Sequence, residues 1–161
     1  MDATSEPSLF KWAGGMPAFE RLTAVFYARV RQDPILSPLF AHASPGHPAH
    51  VAAFIAEVFG GPSAYTPRGG HPEMVRRHLG RALTEVQRRR WATLLAECAD
   101  EAGLPTDPEF RSAFVAYIEW GSRLAVINSQ PGATLDGTAV MPRWGWGVPG
   151  GPGGPGGPAS L

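Results

Sequence analysis

Phe19, Leu22, Phe26 and Val30 recur at steps of three and four residues, which puts four large apolar side chains on one face of a helix. Pro17 suits the first turn of that helix, where a missing N–H costs nothing, and Pro34 ends the run. Val51, Phe54, Ile55, Val58 and Phe59 form a second stripe, closed by Gly60-Gly61, a pair able to take the left-handed cap conformation. Between the stripes, "PILSPLF" (34–40) carries two prolines and is expected to form a turn-rich link or a single helical turn.

Residues 60–72 hold four glycines and three prolines and read as an irregular loop, followed by a short helix over about 73–82. Thr84 with Gln87 three residues on is a capping-box pattern. It opens a helix through Trp91, Leu94, Leu95, Cys98 and Ala102 that Gly103 stops. Asp107-Pro108 supplies an N-cap and a first-turn proline for a last helix through Phe110, Phe114, Tyr117, Ile118 and Leu124 to about Asn128. No period-2 run of β-branched residues and no flanked Asn-Gly or Asp-Gly turn occurs, so the fold class is all-α.

The composition changes after residue 130. "MPRWGWGVPGGPGGPGGPASL" has too little side chain to offset its ordering entropy, and residues after 148 are expected to be flexible. Trp144 and Trp146 leave two arrangements open for the start of this tail, trailing free or packed back on the body.

Over the whole chain of 161 residues, 43% apolar and 17% charged content suits one folded domain. Lys+Arg and Asp+Glu balance at 14 each, which argues against nucleic acid as a main partner. The local run Arg88-Arg89-Arg90 falls on an amphipathic helix and reads as a solvated face with acids nearby. The single cysteine, Cys98, shares a stripe with Leu94, Leu95 and Ala102, so it is expected to be buried and inert, without a disulfide framework. No signal-peptide pattern and no apolar run long enough to span a bilayer is present. A cytoplasmic protein without membrane contact is expected.

Candidate chemistry centres on five histidines. His47 and His71 each precede a proline, which biases them toward caps or loops. His42 lies in the polar turn "FAHASPG", and His50 near a helix start. Only His78 is placed by the pattern in the middle of a helix, among Met74, Val75, Leu79 and Leu83, as a single axial metal ligand requires. From spacing alone such a histidine is more often a packed core residue than a ligand. His47-x-x-His50 lacks a cysteine or nearby carboxylate to complete a tetrahedral metal shell. There is no G-x-S-x-G and no phosphate loop, and Cys98 has no compelling partner for nucleophilic catalysis.

Several segments carry a resemblance: "GGMPAFERLTAVFYARVRQDP", "FGGPSAYTPRGGHPEMVRRHLG" and "QRRRW". With Phe26-Tyr27, Gly60-Gly61-Pro62, Tyr65, Gly70-His71-Pro72, Arg77-His78 and Trp91 at matching spacings, the chain resembles a group II truncated haemoglobin over roughly residues 10–128. The resemblance implies a two-over-two helical sandwich holding haem b. It divides the chain into an N-terminal extension (1–9), a truncated globin domain (10–130) and a Trp- and Gly/Pro-rich tail (131–161).

It also implies site roles. His78 is the proximal iron ligand, and Arg77 turns toward a haem propionate, a charge-assisted pair. Tyr65 and His50 are further propionate donors. Phe40, Val51 and Phe54 wall the porphyrin, with Met74 on the proximal side. Tyr27 and Trp91 donate to a bound gas. In the absence of the resemblance, Tyr27 reads as a surface tyrosine and Trp91 as a core anchor. Two departures from other members stand out. Phe40 has no hydroxyl where some relatives have tyrosine. His47 falls at a distal position that is small in many members, and "HASPGHPAHV" leaves open whether His47 or His50 points inward.

The expected activity is reversible binding of oxygen, nitric oxide and carbon monoxide. Nitric oxide oxidation or peroxidase-like chemistry would need an external electron donor, since no flavin or nicotinamide motif is present. The alternatives are a gas-sensing or partner-binding haem module that uses the tail tryptophans, and a helical protein without cofactor. The sequence does not specify the oligomeric state.

Overall fold

A computed structural model describes residues 7–135 and 139–147. The described residues are helical with no strand: α1 (Leu9–Ala13), α2 (Met16–Val30), α3 (His47–Val58), α4 (Gly70–His78), α5 (Glu85–Glu101) and α6 (Pro108–Ser129), with 3-10 turns at Ser37–Phe40 and Thr66–Arg68. Helix α2 packs on α3, α5 packs on α6, and α2 also crosses α5. Two helix pairs are thereby stacked, the two-over-two arrangement that the resemblance implied. None of these helices is long and apolar enough to cross a membrane.

The apolar stripes account for the core. Phe19, Leu22, Phe26 and Val30 of α2 are all buried, as are Phe54, Ile55, Val58 and Phe59 at the end of α3. Phe59 meets Phe19, Phe114 and Tyr117 edge to face, at 5.8, 6.0 and 5.5 Å between ring centroids. Pro17 and Pro108 sit in the first turns of α2 and α6, and the Thr84–Gln87 capping box is formed in both directions. Asp107 Oδ2 accepts from the Phe110 N–H at 3.0 Å. Cys98 is buried.

Three features depart from the sequence reading, and a fourth takes one of two arrangements that it left open. Helix α1 has too few residues to show a period. Ser8 caps it and Gly14 closes it in the left-handed region at φ 110°. Its Phe10 stacks on Phe19, and a Cβ on Gly61 would fall 2.7 Å from the Phe10 ring, so Gly61 allows this close approach.

Helix α4 covers Gly70–His78 rather than 73–82, and His78 is its last residue rather than a mid-helix one. Gly69 turns the chain at φ 112° and the His71-Pro72 pair falls in the first turn, where proline is tolerated. At the other end Leu79 is extended and Gly80 takes φ 76°, which stops the helix. His71 is therefore helical, and the expected loop over 60–72 contains a 3-10 turn and the start of α4.

Arg88 is not solvated. It is 7% exposed, held by Glu85 Oε1 at 2.6 Å and Glu119 Oε2 at 3.1 Å, although Arg89 beside it is exposed as expected.

Finally, the start of the tail lies on the body. Trp144 N–H donates to the Val58 carbonyl (2.9 Å), its indole N–H to the Ala113 carbonyl (3.0 Å), and the Trp146 indole to the Pro7 carbonyl (2.6 Å). Both tryptophans are thus engaged within the chain. The expectation for residues after 148 lies outside the described residues.

Candidate functional site

Near its end, helix α2 sets Phe26 and Tyr27 side by side in its buried stripe. Their rings meet edge to face at 5.0 Å, and Phe26 meets Trp91 of α5 in the same way at 6.0 Å. Tyr27 is buried, not a surface residue, and its ring also meets Phe40 at 5.5 Å. His47, the first residue of α3, completes this corner: its Nε2 lies 3.0 Å from the Tyr27 hydroxyl. Of the two histidines left open, His47 is the one that meets Tyr27. His50, one turn on, is half-buried. Further along α3, Val51 is half-buried and Phe54 is buried with its ring against Tyr65 at 5.0 Å.

The second wall is α4. With 3.6 residues per turn, His71, Met74, Val75 and His78 share one face. His78 Nδ1 lies 2.7 Å from the Met74 carbonyl. A carbonyl only accepts, so Nδ1 carries the proton and donates, and the lone pair of the neutral ring is on Nε2. Burial lowers the His78 pKa, an effect that Met74 partly opposes and that Arg81 and His71 reinforce. The ring is a neutral, oriented donor.

The two walls are near enough to feel each other. The His47 pKa is lowered first by burial and then by Arg77, His50, Arg81 and His78. Positive charge gathers at the rim: Arg77 is paired with Glu73 at 3.1 Å, and Tyr65 lies within the fields of Arg77, Glu73, Arg68 and Arg76. Sequence reasoning missed two members. Arg81 donates to the Arg77 carbonyl at 2.7 Å and reaches the Leu39 carbonyl at 3.5 Å, linking the end of α4 to the turn that holds Phe40. His71 has its Nδ1 buried without a hydrogen-bond partner. The arginine was hidden by the misplaced helix end, the histidine by the proline after it.

These residues fit a flat, anionic, metal-bearing cofactor. A neutral imidazole offers Nε2 as ligand, apolar rings flank it, and guanidinium groups stand at the rim for carboxylates. The described residues contain no cluster of three or more His, Cys, Asp or Glu side chains able to hold a bare metal ion. The donor set thus suits a metal already held by a macrocycle.

Known proteins with this pattern agree. Residues 8–119 match the bacterial-like globin family. The group 2 truncated hemoglobin YjbI of Bacillus subtilis is 28% identical over 116 residues, covering 72% of this chain and 86% of that protein. The solved hemoglobin of the thermophilic phototroph Chloroflexus aurantiacus is 32% identical with a TM-score of 0.67, covering 74% of this chain and 98% of that one. The truncated oxygen-avid haemoglobin of Bacillus subtilis superposes with a TM-score of 0.66 at 26% identity, covering 74% and 99%.

Proposed function

Because the chain belongs to the bacterial-like globin family, as a truncated haemoglobin of the group II kind whose cofactor is haem b, we propose that His78 is the proximal ligand of the haem and that the Tyr27–Trp91 corner receives the gas. Binding of a diatomic gas such as oxygen follows from the family. The observation that carries the site assignment is the His78 ring, fixed by its Nδ1–H bond to the Met74 carbonyl at 2.7 Å with Nε2 left to coordinate. When bound, haem iron would supply the chemistry that takes up a gas and exchanges electrons with it.

The remaining roles belong to the chain. Phe40, Val51, Phe54 and Met74 exclude water from the porphyrin faces. Arg77, Tyr65 and His50 stand for the propionates, with Arg81 and the free His71 Nδ1 as additional donors. The Tyr27 hydroxyl and the Trp91 indole N–H would donate hydrogen bonds to the ligand. Each is worth on the order of 1–3 kcal/mol in a dry pocket, or about tenfold to a hundredfold in ligand escape.

Such donors favour slow release, which suits chemistry on the ligand better than bulk oxygen delivery. Oxidation of nitric oxide to nitrate by oxygen consumes one electron, and peroxide reduction consumes two. Both draw on an external donor, because the chain carries no flavin or nicotinamide motif. The oxygen avidity of the Bacillus subtilis haemoglobin supports strong ligand retention here.

The test is the absorption spectrum of the haem-loaded protein, reduced and with carbon monoxide, beside His78→Ala. A globin spectrum that the substitution abolishes, or converts to loosely held haem, is the expected result. A His78→Ala spectrum identical to the parent's overturns the proximal assignment.

A further inference from the structure

A tyrosine hydroxyl has one proton, and the group beside it decides where that proton points. Tyr27 has His47 beside it, 3.0 Å away at Nε2, with the rings edge to face at 5.2 Å. The other imidazole nitrogen, Nδ1, makes no hydrogen bond among the described residues, and the His47 ring is only half-buried. Tyr27 and His47 together line a cavity of about 530 Å³ that opens to solvent between the end of α2, the 3-10 turn and the start of α3. Cavity and Tyr27 hydroxyl are thus joined through the His47 ring, whose Nε2 is the atom that meets Tyr27 Oη.

We propose that His47 and Tyr27 form a proton relay from this cavity to the bound gas, a role that rests on the haem-globin reading above. In one transfer, His47 Nδ1 takes a proton from an acid in the cavity water while Nε2 passes its own proton to Tyr27 Oη. Tyr27 releases its original hydroxyl proton to the acceptor beside it. One N–H bond forms and one breaks on the imidazole, and one O–H bond forms and one breaks on the phenol. Neither side chain changes charge, and one proton has moved inward.

Burial makes the partner necessary. It pushes the Tyr27 pKa far up, so the phenol cannot give up its proton and wait as phenolate. Replacement of the proton in the same step avoids that state. Imidazole is the side chain that accepts on one edge and releases on another near neutral pH. The groups facing His47 are Tyr27 from α2 and Arg31 just after it, His50 on its own helix, Arg77 and His78 from α4, and Arg81 after it. No carboxylate side chain is among them, and burial is the largest influence lowering the His47 pKa.

The experiment compares the haem-loaded protein with His47→Gln and Tyr27→Phe. A glutamine amide still hydrogen-bonds Tyr27 but cannot take up a proton on one edge and release it from another. Three readouts separate the roles: the rate of the ferric protein with hydrogen peroxide in water and deuterium oxide, the oxygen dissociation rate, and the C–O stretching band of the carbon monoxide complex across about pH 5–8.

The expected result for His47→Gln is a peroxide rate lowered about a hundredfold, with the solvent isotope effect lost. Its oxygen release should change far less than that of Tyr27→Phe. Its C–O band should stop responding to pH. A full peroxide rate in His47→Gln overturns the relay, and oxygen release accelerated as much as in Tyr27→Phe makes His47 a direct donor instead. Failure of the parent reading is distinguishable, since the unsubstituted chain would then show no globin spectrum with haem.

Discussion

The body formed by α2, α3, α5 and α6 closes over Phe19, Phe59, Phe110 and Phe114, all fully buried, whereas α4 buries only Gly70 and Val75 of its nine residues. The outer surface of α4 is an ion cluster, with Glu73 between Arg76 and Arg77, and such exposed pairs contribute little. Its inner face carries His71, Met74, Val75 and His78. The body is thus held by its own side chains, while α4 is a short helix that, on the proposed site assignment, gains its best contacts from the cofactor. Ligand binding then stabilises one region far more than the other.

The largest effect should come from breaking the body. Phe59→Ala removes the ring that meets Phe19, Phe114 and Tyr117 at once, in a site with no exposure. A loss of about 3–5 kcal/mol is expected from transfer and cavity terms together. Urea unfolding of haem-free and haem-loaded protein should show the same loss in both, because the ring belongs to the core and not to the cofactor site.

Removing haem should do the reverse. Amide exchange in residues 70–78 is expected to quicken about a hundredfold in the haem-free protein, while the buried stretches of α2 and α5 keep their protection. Equal acceleration in α2 would show that the body also depends on the cofactor, and would erase the distinction between the two regions.

The same division decides what the sequence makes legible. Helices α2, α3, α5 and α6 follow from their stripes and caps, because burial on one face imposes a period and Thr84 and Asp107 mark starts that the structure keeps. Their propensities, caps and packing agree. Helix α4 is short and polar, bounded by glycines and opened by a His-Pro pair, and these signals read as loop when taken singly. Its second half was legible as a short helix and His78 stood out by its place among Met74, Val75, Leu79 and Leu83, while the ligand role came only through the resemblance. Arg88 was misread because a basic run gives no hint that Glu119, 31 residues away, will close over it. The Tyr27–His47 contact depends on how the start of α3 meets α2, a tertiary register that no local pattern carries.

Acid separates the two regions last and most gently. On the site side, burial holds the pKa values of His47, His71 and His78 below the ordinary 6.5. Between the folded and unfolded values the unfolded chain binds more protons, so this stability is present above 6.5 and is lost as pH falls through the lowered folded values. On the body side, the bond from Arg88 brings the Glu85 carboxyl from 4.5 down to about 2, and Glu119 is lowered by Arg123 and Arg88. Asp33 is also lowered: burial would raise it, but the Arg90 bond and the Leu36 and Ile35 amides outweigh that. These contributions are present above the ordinary carboxylate values and are lost as pH falls toward about 2. Haem absorbance should therefore begin to fall in the histidine range, before the far-ultraviolet helix signal falls in the carboxylate range. Arg88→Met keeps the buried stem but frees both glutamates. It should leave the first step in place and flatten only the second, with the smallest change at neutral pH of the three experiments, because Glu85 and Glu119 are about half exposed and can return to water. A shift of the haem step by Arg88→Met would mean that the ion pairs of the body reach the cofactor side.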